Sequence, residues 1–253
     1  MQPNLTKTKL LQKLPVYAVI APSAEPALAE WAGLSGFDAY MLDGEHGLFN
    51  PAEAVNVARA CELTGITPLV RLGSRDPKLV LQYMDSGFMG VMMPGLDTLA
   101  DVKMLIEAIK YPPTGRRGLG PVRAADYHLT SHPQGDYVSQ ANAQTMVIPQ
   151  FESPALLTIL PDIVALPEVD VVMIGPRDLS LVMGFPDGPN HPEVQQVIDK
   201  AIGIITRAGK TAGLTAATRA DAEKQIHRGA TFILASYPTL VSQASKAFLP
   251  TTH

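Results

Sequence analysis

The stretch Thr67-Pro-Leu-Val-Arg-Leu72, Asp76-Pro77, Lys78–Ser86, Gly87 and Gly90-Val-Met-Met-Pro94 contains one complete strand–helix–strand unit. Its two outer runs have strand length and are apolar without strict alternation, the pattern of parallel strands covered on both faces. Between them, Pro77 suits a first helical position, where its missing N–H costs nothing. Gly87 supplies the stop.

Working outward, the same unit recurs from end to end. Strand-like runs lie at Pro15–Ala21, Asp38–Asp43, Thr67–Leu72, Gly90–Pro94, Thr145–Glu152, Val169–Gly175, Thr211–Thr215 and Ala230–Ser236, which makes eight. Asn50-Pro51 opens a helix over Ala52–Thr64, stopped by Gly65. Asp97 or Thr98 opens one to Lys110, ended by Pro112 and Pro113. Ser153-Pro154 opens a helix to Leu166, His191-Pro192 one to Ala208, and Thr218 caps Arg219–Arg228. A βα unit repeated eight times predicts an α/β fold, a (β/α)8 TIM barrel, as a single domain over residues 1–253. The 253-residue length, which alone also allows two small domains, is consumed by those eight units.

Composition narrows the function classes. Hydrophobic residues are 46% and charged ones 17%, so the chain can bury enough surface to fold and is not disordered. A net charge of −4 leaves no basic footprint for nucleic acid. Lys7, Lys9 and Lys13 before Leu14–Ala21 superficially resemble a secretory signal. That run is short, contains Pro15 and is followed by Pro22, so a first strand is the better reading. No apolar run approaches the ~20 residues of a membrane span, and a soluble protein is expected. The single cysteine, Cys61, forms no intramolecular disulfide and points to a reducing, cytoplasmic setting. One connection breaks the rhythm: Tyr111–Gln144 is long, turn-rich and carries Arg116, Arg117, Arg123, His128 and His132. It reads either as a solvated excursion or as a lid or subunit contact.

Catalytic groups of a barrel come from the carboxyl ends of its strands. Here the second run ends in Asp43-Gly44-Glu45-His46, the third carries Arg71, the fifth ends at Gln150 and Glu152, and the sixth runs into Gly175-Pro176-Arg177-Asp178. Glu152 and Asp178, on adjacent strands, are the oxygen ligands a hard divalent cation takes, with Mg²⁺ or Mn²⁺ favoured over zinc. His46, beside Asp43 and Glu45 as orienting carboxylates, reads as a general base. Arg71 at the end of an apolar strand needs an anion, either a substrate carboxylate or enolate, or a structural partner such as Asp85 or Glu152. None of the ten lysines is placed at a strand end for Schiff-base chemistry, so carbonyl chemistry calls for a metal ion and no organic cofactor. The stretches after the seventh and eighth runs lack glycine-rich turns, which favours a non-phosphorylated acid.

These segments, together with Tyr111-Pro-Pro-Thr-Gly-Arg-Arg-Gly118 and Ile174-Gly-Pro-Arg-Asp-Leu-Ser180, resemble the HpcH/HpaI family of metal-dependent (class II) pyruvate aldolases. The resemblance runs in order over nearly the whole chain. It implies a barrel assembled as a hexamer, a trimer of dimers with the last helix exchanged, and a divalent metal (Mg²⁺, Mn²⁺ or Co²⁺). The implied substrates are small molecules, a 2-oxo acid and an aldehyde. It further implies that His46 is the base, Arg71 the enolate stabiliser, and Asp85 an aspartate raising the basicity of that histidine. Glu152 and Asp178 match the metal ligands; Gln150, Gly175, the backbone at Arg177 and Asp178 match substrate contacts. Arg177 departs from the family pattern, standing where a small residue is usual, and either narrows the mouth or binds a distal acid.

The expected reaction is reversible retro-aldol cleavage of a 4-hydroxy-2-oxo acid to pyruvate and an aldehyde through a metal-stabilised pyruvate enolate, a carbon–carbon lyase activity. The alternatives are a lyase on CoA esters, an oxaloacetate decarboxylase using the same site, and an inactive barrel acting as a binding protein.

Overall fold

A computed structural model of the chain describes residues 2–130, 133–186 and 188–250. Eight parallel strands, β1 (Val16–Ala21), β2 (Ala39–Gly44), β3 (Thr67–Leu72), β4 (Gly90–Met93), β5 (Met146–Phe151), β6 (Val171–Ile174), β7 (Thr211–Thr215) and β8 (Ala230–Ser236), close into a barrel in sequence order. The expected strands are all present; four are shorter than the apolar run that signalled them, by one residue (β1, β4), two (β5) or three (β6). The closure is a parallel β1–β8 pairing, with Ala18 opposite Leu234. No helix among the described residues is long and apolar enough to cross a membrane.

The helices begin where the sequence supplies caps. Asn50 and Glu53 form a reciprocal capping box over α3 (Pro51–Thr64), and Gly65 ends it in the left-handed conformation at φ 75°. Thr98, not Asp97, caps α5 (Leu99–Ile109), with Asp101 completing the box, and Thr218 with Asp221 does the same for α10 (Arg219–His227). Asp76 caps α4 (Pro77–Asp85), Glu25 caps α2 (Pro26–Leu34), and α9 (Pro192–Arg207) starts at His191. The helix expected from Pro154 to Leu166 is instead a 3-10 turn, Pro154–Thr158, followed by α7 (Leu160–Ala165). Pro161 has no N–H to give the Leu157 carbonyl and forces the restart.

Apolar side chains form two layers. Val57, Leu72, Val91, Ile106, Ile174 and Ile198 belong to the larger cluster, between strands and helices. The barrel interior is a separate cluster that includes Ala39, Met41, Leu69, Met92, Ile148, Val171, Met173, Phe232 and Leu234. These interior residues sit two apart along their strands, the period of the pleat.

The helix α1 (Leu5–Leu11) closes the amino end of the barrel. Leu10, 6% exposed, joins the interior cluster, and Thr6 donates to the Asp38 carbonyl at 2.9 Å. The lysines that superficially resemble a secretory leader hold this plug in place. Lys9 pairs with Asp38 at 2.8 Å, Lys7 with Asp170 at 2.9 Å, and Lys13 donates to the Gly209 carbonyl at 2.7 Å.

The long connection is tied to the barrel at several points, although more than half of its described residues are exposed. It contains a short 3-10 segment, Arg123–His128, and a helix unexpected from sequence, α6 (Gln134–Gln144). Tyr137 and Ala141, four apart on α6, pack with Tyr111 and Ala125 in a small core of their own. Lys110 anchors the segment from beneath, donating to the Asn142 and Thr145 carbonyls at 2.8 and 2.7 Å. Arg117 is fully buried, lies 4.6 Å from the Tyr111 ring centre and pairs with Asp85 at 2.8 Å. His132 lies outside the described residues.

Removing the plug's anchor tests this account. Leu10→Ala is expected to lower unfolding stability by about 3 kcal/mol, as for other buried leucines, measured by urea denaturation. A loss of well under ~1 kcal/mol would show that the barrel floor does not depend on α1.

Candidate active site

On β2, β3, β5 and β8 the interior-facing register ends in a polar group. Two residues beyond Met41 is Asp43, two beyond Leu69 is Arg71, two beyond Ile148 is Gln150, and two beyond Leu234 is Ser236. Strand alternation therefore carries these side chains inward, above the apolar layers and at the carboxyl mouth.

Asp43 and Arg71 face each other in the β2–β3 register. Arg71 Nε donates to Asp43 Oδ1 at 2.9 Å and Nη2 to Oδ2 at 2.6 Å, a bidentate fork; Glu45 Oε2 lies 3.2 Å from Nε. Burial weakens the guanidinium's hold on its proton, but the Asp43 hydrogen bond and the charges of Asp43, Glu45 and Glu152 outweigh that and raise its pKa. The structural partners of Arg71 are thus Asp43 and Glu45, rather than Asp85 or Glu152.

Glu152 follows β5. Its Oε2 accepts from the Gly95 N–H at 3.1 Å, and its Oε1 accepts from Gln150 Nε2. Burial, with the charges of Asp178 and Glu45 nearby, raises the Glu152 carboxyl to about 7 even though the Gly95 hydrogen bond works against the shift. Asp178 projects from the first turn of α8 (Pro176–Val182). A pair of carboxylates pressed together in this way lacks a positive charge between them. Gln150 Oε1 is buried without a hydrogen-bond partner among the described residues, a further oxygen facing the same place. Gly175 keeps the space open: a β-carbon there would lie 3.0 Å from Gln150 Nε2 and 3.2 Å from Glu152 Oε1. The donor set is all oxygen and fits a hard divalent cation. Among the described residues no group of three or more His, Cys, Asp or Glu side chains is placed to hold a metal ion.

Two cavities meet at Asp178 and Gln150. One, of about 470 Å³, is lined by Arg71, Gly175 and Arg177 and by the ends of β7 and β8. The other, of about 440 Å³, holds Glu45, Arg75 and Glu152. Gly175 is the residue before α8 and no side chain caps that helix, so the N–H groups of Arg177 and Asp178 have no partner within it.

Two expected relationships differ in the structure. His46 is 69% exposed and lines a neighbouring depression with Ser23, Leu48 and Phe49, not either cavity at Asp178. Its Nε2 is 3.7 Å from Glu45, while Asp43 is engaged by Arg71 and reaches His46 only through the backbone N–H, at 3.4 Å. Asp85, at the last position of α4, sits where that helix returns to the amino end of the barrel and pairs with Arg117. It therefore does not reach the His46 of its own chain. The Asp43–Arg71 fork was open to sequence reasoning, since both residues occupy the same interior phase two positions past a buried residue.

The chain matches the family model for HpcH/HpaI aldolase/citrate lyase over residues 17–239. It is 34% identical over 216 residues to a 2-keto-3-deoxy-L-rhamnonate aldolase of Salmonella gallinarum, covering 85% of this chain and 79% of that protein. It is 33% identical over 237 residues to a 4-hydroxy-2-oxo-heptane-1,7-dioate aldolase of Shigella flexneri, covering 89% and 88%. A solved HpcH/HpaI aldolase/citrate lyase family protein from Burkholderia cenocepacia superposes with a TM-score of 0.89 at 28% identity, over 97% of both chains. The family match over most of the chain and the two aldolase relatives above 30% identity show that the chain belongs to the HpcH/HpaI aldolase/citrate lyase family and is a carbon–carbon lyase.

Proposed function

We propose that the protein catalyses the reversible retro-aldol cleavage of a 4-hydroxy-2-oxo acid to pyruvate and an aldehyde. The observation that carries the reading is the convergence of two crowded carboxylates, Glu152 and Asp178, with the carboxylate-braced Arg71 at one mouth. Its relatives' names, aldolases of a deoxy sugar acid and of a hydroxy-oxo diacid, support the same chemistry.

In this mechanism Glu152 and Asp178 hold a divalent cation, Mg²⁺ or Mn²⁺, which supplies positive charge to the 2-oxo acid when bound. The uncapped N–H groups of α8 and the Gln150 amide orient the substrate's carboxylate end. His46, acting through a water because its ring opens outside the cavity, takes the proton of the C4 hydroxyl. The C3–C4 bond breaks and its electron pair moves to form the C2–C3 double bond, leaving an enolate oxygen on C2. Arg71, held in fixed orientation by Asp43 and Glu45, stabilises that charge without having to reorganise. The aldehyde leaves, and the proton taken by His46 returns through the water to C3, giving pyruvate and restoring the neutral imidazole.

Assembly as a trimer of dimers with the last helix exchanged belongs to the same proposal. The amphipathic α11 (Tyr237–Phe248), none of whose residues is buried in one chain, supports it. An aspartate acting on His46 in the manner expected of Asp85 would then come from a second copy.

Dialysis against a chelator should abolish pyruvate release, and Mg²⁺ or Mn²⁺ should restore it; borohydride with substrate should trap no adduct. Full activity without metal would sink the reading. Because the metal-free Glu152 keeps its proton up to a pH of about 7 and only its ionised form binds a cation, proton and ion compete below that pH. The apparent Kd for Mn²⁺ should therefore rise about tenfold per pH unit below neutrality and flatten above it, read by calorimetric titration. Asp43→Asn removes the charge bracing Arg71 and should lower kcat by about 10²-fold with a much smaller change in KM, read by coupled pyruvate assay.

A further inference from the structure

Three arginines stand around the mouth, and their charges are balanced differently. Arg71 is held by Asp43 and Glu45. Arg75 pairs with Asp101 at 2.7 Å and with Asp97 at 3.4 Å. Arg177 is exposed on α8, lines the same cavity as Arg71 and Gln150, and has no ion pair or side-chain hydrogen bond among the described residues. It is the mouth arginine without a counter-ion.

The wall that completes this cavity carries nothing to neutralise it. The end of β7 contributes Thr215, Ala216 and Ala217, the end of β8 Ser236, and the start of α11 Thr239. These are methyl and hydroxyl groups, so the sole carboxylate among the described lining residues is Asp178, which the cation claims in the reading above. The metal-binding end of the cavity and the β7–β8 end are therefore chemically distinct: one takes the 2-oxo acid, the other is a small, neutral, hydroxyl-bearing chamber with one free guanidinium.

We propose that Arg177 is a specificity-determining residue that binds a carboxylate at the far end of the acceptor aldehyde, so that the preferred acceptor is an acid semialdehyde rather than a neutral aldehyde. This rests on the aldolase reading given above. A guanidinium offers a carboxylate two parallel donors, and the threonine and serine hydroxyls across the chamber supply further donors to the same group. A phosphate is a poorer match: β7 is followed by Ala216-Ala217-Thr218 and β8 runs directly into α11 at Tyr237, so neither strand end forms a glycine-rich cradle. The Arg177 carbonyl accepts from Ser180 Oγ at 2.7 Å, which ties the backbone down locally while the side chain stays available.

The test compares aldol addition of pyruvate, with Mn²⁺ present, to two acceptors of equal carbon length, succinic semialdehyde and butanal, with glyceraldehyde 3-phosphate as a third. The wild type should prefer the semialdehyde in kcat/KM. In Arg177→Ala the ratio of semialdehyde to butanal should fall by about 30-fold, the scale of one lost charge-assisted hydrogen-bonded pair. Arg177→Lys should restore part of it, and Arg177→Glu should push the ratio below that of the alanine variant. A ratio unchanged in all three variants, an equal loss for both acceptors, or a wild-type preference for the phosphorylated aldehyde would overturn the assignment. Metal-dependent exchange of the pyruvate methyl protons in D₂O is read in parallel. If the wild type exchanges those protons but shows no acceptor preference, Arg177's role fails while the pyruvate reading stands; if it does not exchange them, the aldolase reading fails and takes this inference with it.

Discussion

Side chains alternate along a β-strand, and when the sheet closes on itself every second one is committed to the interior. That constraint governs this protein from floor to mouth. Near the amino end the interior positions are filled by apolar residues such as Leu10, Val16, Ala18 and Ala39. Continue β2, β3, β5 and β8 in the same phase and the apolar layers give way to Asp43, Arg71, Gln150 and Ser236. Core and active site are successive layers of one stack, so the rigid packing below positions the polar groups above it. A one-residue slip of β3 would turn Arg71 outward and Val70 inward, losing the arginine and the core at once.

Electrostatics at the mouth is arranged by partial compensation. Arg71 arrives with two carboxylates, and the fork to Asp43 both retains its charge and removes its freedom to swing. Glu152 and Asp178 are left under-compensated, and burial makes that costly enough to hold the Glu152 proton near neutrality. In the proposed reaction, a site with an excess of carboxylate on one side and a braced guanidinium on the other would suit a cation and an anion bound together. This is the electrostatic demand of an enolate that forms and disappears within one turnover.

The eight strands were legible in the sequence because each is a short apolar run bounded by its own stop signals, and most helices because Asn50, Asp76, Thr98 and Thr218 are local caps. The strand-end residues were legible for the same reason, since position along a strand is a one-dimensional property. What escaped was long-range or weakly patterned. The task of α1 depends on Lys9 meeting Asp38 and Lys13 meeting Gly209, pairings between distant positions that no window contains. Helix α6, Gln-Gly-Asp-Tyr-Val-Ser-Gln-Ala-Asn-Ala-Gln, has a weak apolar stripe and is stabilised by Tyr111 from outside it. The direction in which His46 opens and the Asp85–Arg117 pair were likewise beyond sequence reasoning, because they depend on which end of the barrel each loop occupies.

The plug formed by α1 makes the barrel a vessel with one opening. In the proposed reaction, anything seated deep, against Met92 and Arg71, would enter and leave through the carboxyl mouth. Two reactants stacked along such a shaft obey a queue: the inner one boards first and disembarks last. If the proposed reaction runs in this vessel, the closed floor would impose an ordered kinetic scheme from the end of the molecule farthest from any bond that breaks.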